Sequence, residues 1–253
     1  MLSIVLLGSG NLAQHLANAI YSSDGLELKQ VYGRNPKALN SFETFAPITN
    51  SISEIVQADI YLLAVTDGNI GHLAAQLPET VGTIVHTSGA VGMDVIGNDK
   101  RGVFYPVQTF TKGKPVDFWA IPICIEANTE QSEQHLVKLA NGLSNQVYKL
   151  GSEQRSQLHL SAVFANNFSN YLFGISEEIC RRNNIPFEIL RPLILETALK
   201  VQTLSPFNAQ TGPARRGDTN SIQKHLELIT STTEREIYTL LSNAIKTNHE
   251  EEL

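Results

Sequence analysis

The residues of this 253-residue chain whose types and spacing suit them to chemistry begin at its start. GSGNLA, residues 8 to 13, spells GxGxxA directly after an apolar run and before the amphipathic stretch NLAQHLANAIY. In a strand–turn–helix unit each small residue there has a task. Gly8 permits the tight turn, Gly10 lets the backbone approach a pyrophosphate, and Ala13 lets the helix pack closely on the strand. The unbonded N–H groups at the helix start attract the phosphates. Gly8, Ser9, Gly10, Asn11 and Leu12 are therefore candidate cofactor-binding residues. The competing reading is a glycine-rich turn that binds nothing.

About 20 residues after such glycines, an NAD-preferring site places an acid on the adenosine ribose. Here the second apolar run ends in YGRNPK, with Arg34, Asn35 and Lys37 at the turn and the nearest acids, Glu27 and Glu43, on either side of it. A guanidinium can stack on adenine and pair with a 2′-phosphate. The turn thus favours NADP, with Arg34 and Asn35 as contacts, against the alternative of a solvated basic turn. AVTDGNI (64 to 70) and HTSGAVG (86 to 92) also follow apolar runs. Val65 and Thr66 could reach the cofactor and Ser88 could face its reacting ring, while Asp67 reads as a helix cap.

FANNFSN lies inside a long helical pattern. At 100° per residue, Asn166 and Asn170 fall about 20° to either side of His159, so the three share one face. Histidine titrates near neutrality, which suits proton donation during hydride transfer, and amides on an otherwise apolar helix need partners. His159, Asn166 and Asn170 are the candidate catalytic residues; the alternative is that they bridge helices. YPVQTFTKG (105 to 113) follows another apolar run, so Tyr105 and Gln108 could contact substrate. In TGPARRGD a Gly-Pro break precedes two arginines, with Asp218 capping the next helix; on composition alone the arginines would be solvated.

The elements that would carry these residues change character along the chain. Up to about residue 150, short apolar runs alternate with amphipathic stretches, and runs such as IVLL and IYLLAV suit strands buried on both faces. LSIVLLG, LELKQVYG, DIYLLAV, GTIVHTS, GVFYPV and WAIPICIE are the expected strands. Beyond that point strand signals vanish. SEQRSQLHLSAVFANNFSNYLFGISEEICRRNN reads as one helix of roughly thirty residues, and IQKHLELITSTTEREIYTLLSNAI as one or two more, with the acidic tail HEEEL frayed. The expected architecture is α/β, a doubly wound Rossmann sheet over 1–150 followed by an all-helical domain over 151–253.

Net charge is −6 with 17% charged residues, so no broad basic face invites nucleic acid or anionic lipid. Cys124 and Cys180 lack metal or disulfide spacing, and the opening apolar run is too short for a signal or spanning segment. No membrane or nucleic-acid partner is expected, and a reducing cytoplasm fits.

GxGxxA, the Arg-bearing turn, AVTD and the long helix resemble the pyrroline-5-carboxylate reductase and 6-phosphogluconate dehydrogenase superfamily. NNFSNYL with TGPARRGD resembles, more narrowly, a bacterial family joining a Rossmann-like domain to a C-terminal domain of unknown function and often labelled as NADP oxidoreductases. The resemblance implies NADP, a dimer with a helical domain like that of 6-phosphogluconate dehydrogenase, and an oxidoreductase acting on a small anionic carbonyl or imine, whose anion Arg215 or, preferred because it adjoins Gly217, Arg216 could hold. A non-catalytic NADPH sensor and a deazaflavin-linked NADP reductase are the alternatives. Two positions depart from the family patterns. Related hydroxyacid dehydrogenases carry a Lys on the long helix, whereas no Lys lies between Lys149 and Lys200 here, and Tyr105 stands where the family has His before Pro.

Overall fold

The computed structural model describes residues 1–79 and 82–250, so the last three residues of HEEEL lie outside the described residues. The elements run β1 (Leu2–Leu7), α1 (Asn11–Tyr21), β2 (Leu26–Tyr32), α2 (Pro36–Leu39), β3 (Ile48–Thr49), β4 (Ile60–Leu63), α3 (Ile70–Gln76), β5 (Thr83–His86), β6 (Arg101–Pro106), β7 (Ile123–Ala127), α4 (Glu130–Leu143), β8 (Val147–Lys149) and α5 (Ser152–Ala162). A π-helical segment, Val163–Phe168, joins α5 to α6 (Ser169–Arg182), and α7 (Arg191–Lys200), α8 (Pro206–Ala209), α9 (Thr219–Leu228) and α10 (Thr232–Glu250) follow.

One eight-stranded sheet has the order β3-β2-β1-β4-β5-β6-β7-β8. All neighbours are parallel except β6 and β7, which run antiparallel. The order reverses direction between β1 and β4, the switch point at which a Rossmann sheet opens a crevice for its ligand. Successive residues of β1 and β4 enter opposite cores. Ile4, Leu6 and Leu62 pack with α1 and α4, and Val5, Leu7 and Leu63 with α3. In α1 the buried residues Ala13, Leu16, Ala17 and Ile20 recur at the helical i, i+3, i+4, i+7 spacing, which fixes how the GxGxxA turn meets the sheet.

The six expected strands are present, and short edge strands β3 and β8 extend the sheet beyond them. The helix-cap position expected for Asp67 belongs to Thr66, which is extended at φ −65°, while Asp67 opens the 3-10 turn Asp67–Asn69 leading into α3. Asn69 Nδ2 donates to Thr66 Oγ1 at 2.6 Å across that turn. Asp218 does cap α9, its side chain accepting from Ser221 N at 3.0 Å.

By its contacts the chain forms two compact units, Met1–Asn166 and Asn167–Leu253, and α5 goes with the first. The second contains helices joined by turns and no strand among its described residues. No helix among the described residues is long and apolar enough to cross a membrane.

Candidate active site

At the carboxyl end of β1, Gly8 has φ +141°, and a Cβ there would lie 2.1 Å from the Ala64 carbonyl oxygen. Only glycine lets β1 leave the sheet beside the end of β4. Two residues on, nothing lies within 4 Å of a Cβ built on Gly10. The same sequence motif thus has one glycine that the fold requires and one whose bareness leaves open space. Gly10 is also the N-cap of α1, with no side-chain cap bond and no acid in the first turn. The first N–H groups of the helix are left for an incoming anion.

That space is a cavity of about 640 Å³. Gly8, Ser9, Gly10, Asn11 and Leu12 form one wall, Arg34 and Asn35 another, and Val65 and Thr66 a third. Arg34 is exposed, whereas the Asn35 side chain accepts from Lys37 N at 3.1 Å and caps α2. Asn69, at the start of α3, and His72 and Gln76 within it also line the cavity, and Gln76 Nε2 donates to His72 Nε2 at 2.7 Å. Sequence reasoning missed this polar face because His72 and Gln76 look like ordinary exposed helix positions. A backbone cradle, an uncapped helix start and a basic turn make a donor set that suits a dinucleotide with a phosphate on its ribose.

Thr87 also lines the cavity, and the turn after it leads to a second cluster. Ser88 is not in the cavity lining; its Oγ accepts from Ala90 N and Val91 N, which shapes the turn. Gly89 is buried against two side chains: a Cβ there would lie 2.7 Å from both His159 Nδ1 and Tyr105 Cζ. Those two meet each other. Tyr105 Oη lies 3.1 Å from His159 Nδ1, with the rings edge to face at 5.9 Å. The β5 turn, β6 and α5 therefore converge on one phenol–imidazole pair. Gln108 is exposed, its side chain accepting from Thr109 N at 2.8 Å.

Beneath the pair sits Arg155, one turn before His159 and 1% exposed. Its guanidinium donates to the Val91 carbonyl at 2.6 Å and to Ser152 Oγ at 3.2 Å, and lies 3.3 Å from Glu126. Its Nε and Nη1 are buried without a partner. Arg155 thereby ties the β5 turn, β7 and α5 together behind Tyr105. Burial pushes the Tyr105 phenol above its usual pKa, Cys124 adds to the rise, and the Arg155 charge opposes it. His86 is fully buried beside this cluster; desolvation, then Arg155, hold its pKa down at about 4, so it is neutral. Nothing in SEQRSQ marks its arginine as buried, since a polar run reads as a solvated face.

Asn166 is exposed in the π-helical segment, and Asn170 is exposed on α6 in the second unit. Wider π turns interrupt the 100° step between His159 and these residues, so the facing relation inferred from uniform helix does not follow through the segment. In the second unit, Arg215 donates to the Gln210 carbonyl and closes its own turn. Arg216 is exposed and helps hold the Asp218 carboxyl below its usual pKa, after the larger effect of Ser221 hydrogen bonds.

Residues 3–85 match a family model described as NADP oxidoreductase, coenzyme F420-dependent, and residues 121–245 match the domain of unknown function DUF2520. A candidate NADP oxidoreductase of Bacteroides fragilis is 38% identical, over 97% of this chain and 98% of that one, with a TM-score of 0.87. The chain belongs to this NADP oxidoreductase family. Its fold extends further than its family. A pyrroline-5-carboxylate reductase of Streptococcus pyogenes shares it at 14% identity, 97% and 98% coverage and a TM-score of 0.66. So does a reductive aminase of Aspergillus terreus solved with NADPH and ethyl levulinate, at 14% identity, 99% and 94% coverage and 0.70. A comparison with curated proteins returned no match.

Proposed function

We propose that this NADP oxidoreductase moves hydride between NADP(H) and the carbonyl or imine carbon of a small anionic compound. The observation that carries the reading is the 640 Å³ cavity at the sheet's switch point, cradled by GxGxxA backbone and walled by Arg34. Gly8 through Leu12 hold the pyrophosphate on the start of α1, and Arg34 with Asn35 receives the 2′-phosphate. Val65 and Thr66 flank the ribose toward the reacting end. The bound nicotinamide supplies or accepts the hydride. His159 holds and gives the proton that the reduced atom takes up, its ring fixed by Tyr105 and by the close approach of Gly89. Asn166, Asn170 and Gln108 orient substrate, and Arg216 clamps its anionic group. The family description favours a second reading, in which a deazaflavin is the hydride partner.

We also place a second copy of the chain on the helical unit. Among its described residues only Cys180 and Ala214 are buried, while Leu193, Leu228 and Leu240 stand 62%, 79% and 70% exposed. Apolar surface of that kind marks an interface. Buried free cysteines fit a reducing cytoplasm.

The test is NADPH oxidation against a panel of keto acids, keto esters with and without an amine, cyclic imines and an oxidised 5-deazaflavin. Turnover of a carbonyl or imine supports the first reading. Turnover of the deazaflavin alone replaces it with the second. Binding of NADPH without oxidation by any of them leaves a sensor.

A further inference from the structure

Tyr105 and His159 are arranged for more than holding a ring in place. The hydrogen-bond partner of the Tyr105 hydroxyl is His159 Nδ1 at 3.1 Å. A neutral imidazole has one donor and one acceptor nitrogen, so the tautomer follows from which group gives the proton. Tyr105 is 9% exposed, and burial favours its protonated form. A protonated phenol can donate there or accept; where it donates, Nδ1 accepts and Nε2 carries the proton on the side away from Tyr105. A neutral imidazole that gives up Nε2–H must take a proton at Nδ1 in the same event or become an imidazolate. The phenol supplies it.

We propose that Tyr105 is a proton carrier in series with His159. As hydride adds to the carbonyl carbon, the C–O π electrons move to oxygen, the oxygen takes the proton from His159 Nε2, and Nδ1 takes the phenolic proton of Tyr105. The carbonyl compound is reduced to the alcohol and the reduced nicotinamide is oxidised. The phenolate left behind recovers a proton from solvent, through His159, after product departs. The direction is favourable, because an alkoxide is a far stronger base than a phenolate, and the burial that raises the Tyr105 phenol narrows that gap while Arg155 opposes the rise. Facing the phenol are Cys124 from β7 and Arg155 and His159 from α5. Arg155 is the fixed cation among them, and Glu126 and Val91 hold it there. It is a positioning residue that favours the phenolate over the same group in a neutral core.

The inference rests on the reading of His159 as the group that meets substrate, and two measurements separate them. First, ¹⁵N spectra of histidine-labelled wild type and Tyr105→Phe, both with NADPH, report the His159 tautomer without turnover. Protonation at Nε2 in wild type and a mixture of tautomers in the variant is expected. Protonation at Nδ1 in wild type, or the same signature in both proteins, overturns the relay. Second, rates in mixtures of H₂O and D₂O, using the carbonyl compound turned over fastest in the panel, count protons in flight. A bowed curve for wild type is expected. Tyr105→Phe should give a straight line and a kcat about 10²-fold lower, with KM and NADPH affinity within about twofold. A straight line for wild type, or a variant kcat within about twofold of it, overturns the proposal. Should Tyr105→Phe fail to fold, the wild-type tautomer and curve decide. A panel with neither carbonyl nor imine turnover sinks the reading of His159 as donor, and the tautomer then decides Tyr105 on its own.

Discussion

The two units of the chain solve the problem of burial differently. In the first, β1, β4 and α1 contribute residues with no exposed surface on both sides of the sheet, and the core closes on itself. In the second, α6, α9 and α10 carry apolar residues at helical spacing, yet almost no residue of the unit is buried within the chain. A sheet with helices on both faces is complete after one chain, whereas a few helices have stripes that need a neighbour. The difference separates a unit whose core is complete within the chain from one that leaves its apolar residues exposed.

The largest expected effects set the units against each other. Phe104→Ala in β6 should cost about 3 to 5 kcal/mol in denaturant unfolding at any protein concentration, since the ring is fully buried. Leu193→Ala on α7 should cost within about 0.5 kcal/mol if the helical unit stands bare. With a second copy covering it, Leu193→Glu should instead convert a dimer to a monomer by light scattering and make melting depend on concentration. A monomeric wild type at working concentrations breaks the comparison at its root.

Next in size is the division of labour between two glycines. Gly8→Val should prevent folding, because its Cβ would meet the Ala64 carbonyl and the backbone at +141° resists a branched side chain. Gly10→Val has open space and should fold with an unchanged melting temperature while losing NADPH binding by calorimetry. Equal losses of fold in both variants would remove the distinction between a structural and a ligand-facing glycine.

What could be read from sequence follows the same split. Continuous apolar runs made β1 and β4 legible because strands buried on both faces need them, and short apolar or β-branched runs marked β2 and β5 to β7. The edge strands β3 and β8, two and three residues long, carry too little pattern to register. GSGNLA was legible because its meaning lies in adjacent residues. Tyr105 and His159 were each visible as candidates, but their pairing spans 54 positions and depends on Gly89, which no local pattern marks as a contact point. Arg155 was invisible for the opposite reason, its neighbours being polar. VFANNF gives no sign of a π turn, so helical arithmetic continued through it.

A smaller effect sharpens the account of the cofactor wall. Arg34 lines the cavity, and a bound 2′-phosphate would cover its guanidinium, so a charge-assisted contact there would be worth about 1.5 to 3 kcal/mol, or roughly tenfold to a hundredfold in affinity. Arg34→Ala should weaken NADPH by that factor and leave NADH within about threefold. Equal weakening of both cofactors would place Arg34 on the adenine or the pyrophosphate instead of the 2′-phosphate.

The smallest effect tests whether the helical unit contributes to chemistry as well as to assembly. Arg215 and Arg216 are adjacent and both exposed, but Arg215 is engaged with the Gln210 carbonyl of its own turn while Arg216 shares the field of Asp218. An arginine that closes a turn acts on stability, and one that clamps substrate acts on KM. Arg215→Ala should therefore lower the melting temperature slightly and leave kinetics unchanged. Arg216→Ala should leave the melting temperature alone and raise KM several-fold, since an exposed ion pair contributes up to about 1 kcal/mol. NADPH affinity should hold in both, which confines the effect to substrate. Added salt should weaken wild-type substrate binding toward the level of Arg216→Ala, because exposed pairs are screened. If the two variants exchange roles, Arg215 is the clamp; if neither changes KM, the helical unit supplies architecture and a partner surface, and the chemistry belongs to the sheet alone.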